Sequence, residues 1–114
     1  MVKFFHSNNR LLTANGYTAK EMIDEKQAFI IFADNLRELR NYCNLSLNAL
    51  AELVDIPNQT ISSYENKTHT PSMIQAIKLA SYFGLTVEEF ILCGLDSYPY
   101  DITELYEIRK KEVD

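Results

Sequence analysis

Four polar side chains in one short stretch have the chemistry needed to contact the edges of nucleic-acid bases. Asn58 and Gln59 carry carboxamides, which can pair with N6 and N7 of adenine. Ser62 and Ser63 carry short hydroxyls, which can hydrogen-bond to bases and allow close approach. Such contacts require a rigid element that presents these side chains outward, so the elements around them decide whether the chemistry is usable.

The surrounding sequence predicts an all-α protein. Gly and Pro are scarce, with three of each, and no stretch alternates steadily between apolar and polar residues. Apolar residues recur instead at three- and four-residue steps, which is the helical period. We expect five helices near residues 33–43, 46–54, 58–66, 71–83 and 86–93, and a further helix at 101–113.

Residues with known preferences for helix ends mark these boundaries. Asn44 tolerates the left-handed backbone that ends many helices, and Ser46 is a good N-cap for the second helix. Pro57 disfavours a helical conformation in the residue before it, which indicates a turn at 55–57. Pro71 is expected to start the fourth helix. Thr86, followed three residues later by Glu, forms a capping box for the fifth.

The second and third predicted helices form a helix-turn-helix arrangement, because each has about eight residues and a short turn joins them. A B-form major groove is about 12 Å wide and accepts one α-helix. Backbone N–H groups at the two helix starts can hold phosphate oxygens. The arrangement indicates DNA binding, with the third helix in the groove.

The order of motifs along the chain resembles the phage-repressor-like family, which comprises the Cro, lambda-repressor-like and XRE proteins. The motifs are Leu36-Arg37-Glu38-Leu39-Arg40, Leu45-Ser46, Leu50-Ala51-Glu52-Leu53, Thr60-Ile61-Ser62, Tyr64-Glu65-Asn66, Pro71-Ser72, Leu79-Ala80 and Phe83-Gly84-Leu85-Thr86. They cover about residues 32–93. The resemblance implies a five-helix domain, usually dimeric, whose third helix enters the major groove.

The same resemblance assigns roles to individual residues. Asn58, Gln59 and Ser63 match the base-reading positions of the family, and Asn66 and Lys67 match the loop that touches phosphate. The candidate DNA-binding residues are Asn58, Gln59, Thr60, Ser62, Ser63, Asn66 and Lys67. Arg40 and Glu65 match a pair that joins the first and third helices, so we expect them to stabilise the fold.

Three positions depart from the family pattern. Leu47 stands where a Gln commonly begins the second helix and grips a phosphate, so that contact is lost or moved to Asn48. Asp55 stands in the turn where Gly is usual, and Lys67 follows Glu-Asn where Gly is usual. A left-handed backbone at Lys67 would cost roughly 1 kcal/mol.

The charge is unusually acidic for a DNA-binding protein. The net charge is −5, divided as +1 over residues 1–31, −3 over 32–93 and −3 over 94–114. DNA binding must therefore depend on a few well-placed donors and should be weak without dimerisation. We expect a sequence-specific transcriptional regulator that acts as a homodimer on a short inverted repeat.

We divide the chain into an N-terminal extension (1–31), the helix-turn-helix domain (32–93) and a C-terminal extension (94–114). Thr18 and Glu21 form a capping box, so the first extension is predicted to be helical. Dimerisation is predicted to use the fifth helix and segment 101–113, in which Ile102, Leu105 and Ile108 form an apolar stripe. The alternative is that this last helix folds back on its own core.

A second function stays open at this point, namely a protein-interaction module such as an antitoxin or accessory regulator. Aromatic residues in both extensions would suit a protein partner: Phe4, Phe5, Tyr98, Tyr100 and Tyr106. Heparin or DNA retention in a salt series separates the two functions, because DNA binding falls steeply with salt.

Other classes of protein are not supported. Cys43 and Cys93 are isolated, so neither a metal site nor a disulfide framework is expected. His6 and His69 stand alone among polar residues, and the carboxylates are scattered, so no enzyme and no cofactor are predicted. The sequence shows no secretory signal and no apolar run of membrane-spanning length, which predicts a cytoplasmic protein without a membrane partner.

Overall fold

The computed structural model describes residues 24–113, which form six α-helices and no β-strand. The all-α prediction is confirmed. The capping box predicted at Thr18 and Glu21 lies outside the described residues. The helices are α1 (Glu25–Tyr42), α2 (Leu47–Val54), α3 (Asn58–Glu65), α4 (Met73–Tyr82), α5 (Val87–Leu92) and α6 (Ile102–Val113). None of these helices is both long enough and apolar enough to cross a membrane.

Helix α1 begins eight residues earlier than the sequence predicted. Asp24 is its N-cap and accepts a hydrogen bond from the backbone N–H of Gln27 at 3.4 Å, and Glu25 follows in the first turn. Both acidic side chains favour a helix start here, because they face its partial positive charge. The helix ends as predicted, with Asn44 in the left-handed conformation at φ 57°.

Most of the other predicted helix ends are confirmed. Ser46 caps α2 through the N–H of Ala49 at 3.0 Å, and Thr86 and Glu89 form both hydrogen bonds of a capping box at α5. The fourth helix does not start at Pro71. Ser72 is its N-cap, because the Ser72 hydroxyl can accept from a helix N–H, a bond that Pro cannot make.

One hydrophobic core joins all six helices. Helix α1 packs against α3, α5 and α6, while α4 packs against α2 and α5. The rings of Phe32 and Phe90 lie 5.2 Å apart at the α1–α5 contact, and both side chains are buried. Helix α1 therefore contacts both α3 and α5 within this core.

A buried amide also ties α1 to the end of α5. Asn35 is 5 % exposed, and its Nδ2 donates to the carbonyl oxygens of Phe90 at 2.7 Å and Cys93 at 3.0 Å. These carbonyls lie in the last turn of α5 and its cap, where helical partners run out. The Asn35 amide therefore supplies the hydrogen bonds that the N–H groups of a further helical turn would have made.

Helix α6 packs on the chain's own core. Ile102 is fully buried and Leu105 is 5 % exposed, within the same cluster as the residues of α1 and α5. The apolar stripe predicted for dimerisation is thus covered within the chain, and of its three residues only Ile108 is exposed. That assignment of the stripe was wrong, because its spacing suits either kind of contact and the alternative of folding back is what the structure contains.

An ion pair fixes the far end of α6. Arg109 Nη2 lies 2.5 Å from Glu89 Oε2, and its Nη1 donates to the carbonyl oxygen of Gly84 at 3.1 Å. Burial alone would raise the pKa of Glu89, but hydrogen bonds from Arg109 and from the N–H of Thr86 outweigh it and hold the pKa below 4.5. The charged carboxylate therefore stabilises the folded state.

We expect Glu89→Gln to lower the free energy of unfolding at pH 7 by about 1–3 kcal/mol, because a charge-assisted hydrogen bond is lost. The stabilisation by Glu89 is present above its ordinary pKa and is lost as the pH falls through the lower pKa of the folded state. Urea unfolding at pH 7 and pH 3 measures the difference, which should shrink at pH 3. Glu107→Gln, at a partly exposed carboxylate on α6, is the control. An equal loss at both pH values would contradict the assignment.

Candidate nucleic-acid interface

The turn between α2 and α3 is fixed at each of its three residues. Asp55 adopts the left-handed conformation at φ 56° and ψ 49°. Ile56 is 2 % exposed and anchors the turn in the core. Pro57 is extended, and its carbonyl oxygen accepts from the N–H groups of Thr60 and Ile61 at 3.0 and 3.1 Å. The direction of α3 is therefore set by backbone conformation as well as by packing.

One face of α3 is buried, which determines the face it presents outward. Ile61, Tyr64 and Glu65 point into the protein. The Tyr64 hydroxyl donates to Oε1 of Gln75 on α4, and burial raises the pKa of Tyr64. With this face occupied, the opposite side of α3 is available for an external partner.

Both carboxamides predicted to read bases lie at the exposed start of α3. Asn58 and Gln59 are exposed, and Pro57 supplies no side-chain cap to the helix. Nδ2 of Asn58 donates to Oδ1 of Asn48 near the start of α2. The N-terminal ends of the two helices are thus joined by a pair of amides, and Gln59 projects beside them.

The three hydroxyl-bearing candidates, Thr60, Ser62 and Ser63, are half-buried, and the two serine hydroxyls already make hydrogen bonds within the protein. The Ser63 hydroxyl donates to the carbonyl oxygen of Thr60 at 2.6 Å. The Ser62 hydroxyl accepts from Nδ2 of Asn66 at 3.2 Å. Such bonds back to the helix are common for these residues. The Ser63 bond uses its O–H donor, whereas Ser62 acts as an acceptor and keeps its O–H donor. Ser63 is therefore more restricted as a donor than the sequence suggested.

Glu65 is the buried charge at the end of α3. Its side chain is 2 % exposed and receives two bonds from Arg40, with Nε to Oε2 at 2.7 Å and Nη2 to Oε1 at 2.9 Å. Arg40 Nη1 also donates to the carbonyl oxygen of Leu45 at 2.8 Å, and the hydrogen bond with Glu65 raises the pKa of Arg40. The expected pair is confirmed, and it joins α1, α3 and the connection to α2.

Two more charged residues on α1 hold the segment that follows α3. Arg37 Nη2 donates to Oδ1 of Asn66 at 2.7 Å, and its Nε lies 3.4 Å from Oε1 of Glu65. Nζ of Lys67 lies 2.7 Å from Oδ1 of Asp34. Because Asp34, Arg37 and Arg40 recur every third residue, they share one face of α1, which carries the ions that position this segment.

Lys67 has the backbone expected from the family pattern, although it is not Gly. Its φ is 65°, and its N–H donates to the carbonyl oxygen of Tyr64 at 3.1 Å. A left-handed Lys is strained by roughly 1 kcal/mol relative to Gly. The conformation turns the chain sharply after α3 and brings the Lys67 ammonium beside Asp34.

The four exposed candidate residues thus form two groups at the ends of α3. Asn58 and Gln59 lie at the start, and Asn66 and Lys67 lie about 12 Å away, as eight helical residues require. Helix α3 itself carries no basic residue, and α2 of the same motif carries an exposed acidic residue, Glu52. The surface offers hydrogen-bond donors and acceptors with little positive charge.

Sequence reasoning missed the roles of three residues here. Asn48 was considered for phosphate, not as the partner of Asn58, and neither Asp34 nor Arg37 was assigned. The three-residue spacing of the charges on α1, opposite the expected Glu65, was the available signal for Arg37. The pairing of Asp34 with Lys67 had no comparable signal, because it depends on the tertiary position of a loop.

We expect Arg40→Met to lower the free energy of unfolding by about 3–5 kcal/mol, because Glu65 would stay buried without its main partner. Arg37→Met removes an equal charge from the same face of α1. It should cost about 1 kcal/mol or less, since its side chain is 47 % exposed. Urea unfolding at pH 7 compares the two variants. Equal losses would show that Arg40 has no special place in the fold.

A solved structure has a similar fold. The crystal structure of a transcriptional regulator from Listeria innocua is similar to this chain, with a TM-score of 0.50 and 24 % identity over 73 % of this chain and 77 % of that one. At this identity the likeness concerns the fold alone. None of the curated proteins matches the chain.

The family comparison identifies the motif itself. A helix-turn-helix family model matches residues 36–90, a range that begins within α1 and ends within α5. It includes the turn at 55–57, all of α3 and the buried Arg40–Glu65 pair. Residues 36–90 are therefore a helix-turn-helix domain of the phage-repressor-like (XRE) family.

Proposed function

We propose that this chain is a sequence-specific DNA-binding transcriptional regulator that inserts α3 into the major groove. The observation that carries the proposal is the exposed start of α3, where Asn58 and Gln59 project from a helix whose opposite face is locked in the core. Helix-turn-helix proteins contact base edges with this end of the second helix of the motif. An α-helix with its side chains is about 10–12 Å across, which matches the groove width of about 12 Å.

Gln59 is the better placed of the two base-reading candidates. Its carboxamide can form two hydrogen bonds with one adenine, an arrangement that distinguishes adenine from the other bases. Asn58 must first give up its bond to Asn48, or retain it and present only its remaining groups. The pair with Asn48 then fixes the orientation of the Asn58 amide before DNA arrives.

Asn66 and Lys67 are proposed to contact the phosphate backbone. Arg37 holds the Asn66 carbonyl, which leaves its Nδ2 to exchange the Ser62 hydroxyl for a phosphate oxygen. Lys67 is bound to Asp34, whose side chain is 62 % exposed, so the ammonium would exchange one anion for another. This competition lowers the gain from each phosphate contact, but it also keeps Lys67 close to its binding position.

A homodimer on a short inverted repeat is the form of binding that best fits the charge. One copy has few free cations near α3, so a single half-site should bind weakly at physiological salt. Two copies double the contacts, with their third helices one turn of DNA apart, about 34 Å. Sedimentation velocity of the protein with a one-site and a two-site duplex tests the stoichiometry.

A second candidate is a protein-interaction module, such as an antitoxin or accessory regulator. One specific feature favours it, namely that α3 has no basic residue and that the ammonium next to it is already paired. Exposed apolar side chains on α2 and α4 would suit a protein partner, since Leu53 is 53 % and Ile74 is 64 % exposed.

We expect Gln59→Ala to weaken binding to the best DNA site. It should also reduce the discrimination between bases at one base pair by about 1–3 kcal/mol. The site is first selected from random duplexes, and binding is then measured by fluorescence anisotropy on that site and its single-base variants. Gln27→Ala is the matched control, because Gln27 is an exposed amide on α1. Loss of affinity without any change in base preference would contradict the base-reading role.

We expect Lys67→Ala to lower affinity for all duplexes alike and to reduce the slope of log affinity against log salt by about one unit. The reason is that one phosphate contact and its released counterion are lost. Lys110→Ala changes the charge equally at an exposed position on α6 and serves as the control. If neither Gln59→Ala nor Lys67→Ala changed affinity by more than about twofold, a shift of under 0.5 kcal/mol, the protein-interaction function would be favoured.

A further inference from the structure

An apolar groove lies apart from α3, between the first turns of α1, the start of α4, and α5. It encloses a cavity of about 660 Å³. Phe29 and Phe32 of α1, Met73 of α4, and Val87 and Ile91 of α5 line it. Met73 is 78 % exposed, the most exposed large apolar side chain of the described residues.

This groove is unusual because its walls are apolar and continuous with the core. Phe32 belongs to the central cluster, and Val87 and Ile91 pack against it. Folded chains rarely leave such a surface in contact with water, and a contiguous apolar groove generally has an occupant. None of the proposed DNA-contacting residues lines the groove, so its occupant is independent of DNA.

We propose that the segment formed by residues 1–23 of the same chain fills this groove. The segment joins the described residues at Asp24, and Asp24, Glu25 and Lys26 themselves line the groove. The chain preceding α1 therefore enters beside the groove. Linkage of this kind gives an effective local concentration in the millimolar range, which favours this segment over a free partner.

The composition of the segment fits the groove. Eleven of its 23 residues are apolar or tyrosine, a set that includes two adjacent pairs, Phe4-Phe5 and Leu11-Leu12. Fully extended, 23 residues reach about 75 Å, so either pair can reach the groove.

Charge supplies an independent argument. Residues 1–23 contain three basic and one acidic residue, a net charge of +2, whereas residues 24–114 contain eight basic and fifteen acidic residues, a net charge of −7. At the groove itself, Asp24, Glu25 and Lys26 are the charged lining residues, with a net charge of −1. A cationic, apolar segment is therefore complementary both to the groove and to the body around it.

The test uses the full chain with a photo-crosslinking phenylalanine analogue in place of Met73. Ile74 is the matched position, because it lies one residue along the same helix, is 64 % exposed and does not line the groove. After irradiation without DNA, mass spectrometry locates the crosslinked peptide. We expect the probe at position 73 to crosslink to residues 1–23 within one chain, at monomer mass. The probe at position 74 should give much less of this product.

Three results would overturn the proposal. One is a product at position 73 that joins two copies of the chain, which would assign the groove to a second molecule. Another is the lack of a product between position 73 and residues 1–23, which would show that the segment does not occupy the groove. A product that is equally abundant at positions 73 and 74 would likewise overturn the proposal, because it would reflect the tether alone. Because DNA is omitted, the outcome does not depend on whether α3 binds it.

A second arm tests the chemistry of the segment. Replacing Phe4, Phe5, Leu11 and Leu12 together with Ser should abolish the product at position 73, because the apolar contacts are lost. Asn8→Ser with Asn9→Ser is the control and should retain it. An unchanged product in the fourfold variant would contradict an apolar docking contact.

Discussion

A carboxylate placed inside a small helical protein needs a cation, and Glu65 has Arg40. Removing Glu65 from water costs several kcal/mol, which only close, well-oriented partners can offset. Arg40 provides a two-bond contact from α1 and uses its remaining nitrogen on the carbonyl oxygen of Leu45. This single guanidinium thus sets the distance from α1 to the end of α3 and closes the connection to α2.

The position of the loop after α3 depends on the Arg40–Glu65 pair through a chain of contacts. Arg37 approaches the same carboxylate from outside and continues to Asn66, so the loop after α3 is held against α1. The opposite end of α3 is fixed by different means, namely Ile56 in the core and the left-handed Asp55. A helix of two turns is thereby held at both ends, which leaves its backbone little freedom to move relative to the domain.

Local signals in the sequence were enough to predict most of the fold. The Thr86–Glu89 box and the Ser46 cap are decided by neighbours three residues away, and the apolar period defined the helices between them. The start of α4 was predicted at Pro71, because Pro favours the first turn of a helix, whereas the structure uses Ser72 as the N-cap. The start of α1 was placed too late because the apolar stripe, and not the cap at Asp24, was used to define it.

Predictions that depended on tertiary neighbours were less successful. The spacing of Ile102 and Leu105 shows an apolar face, but the same face serves a second copy or the chain's own core. At the interface, the positions of Asn58, Gln59, Asn66 and Lys67 on or next to α3 followed from the motif. Their present partners did not, because Asn48 and Asp34 meet them only in the folded chain.

The left-handed backbone at Lys67 places conformational stability in conflict with the contact proposed for its ammonium group. Glycine would relieve the strain at this position, so a screen for thermal stability would select it and discard the ammonium. At Asn44 and Asp55, which share this backbone, short polar side chains tolerate it more readily and the same conflict is weaker. Thermal stability and the phosphate contact proposed for Lys67 would therefore respond in opposite directions to one substitution, and a variant selected for the first would lack the ammonium needed for the second.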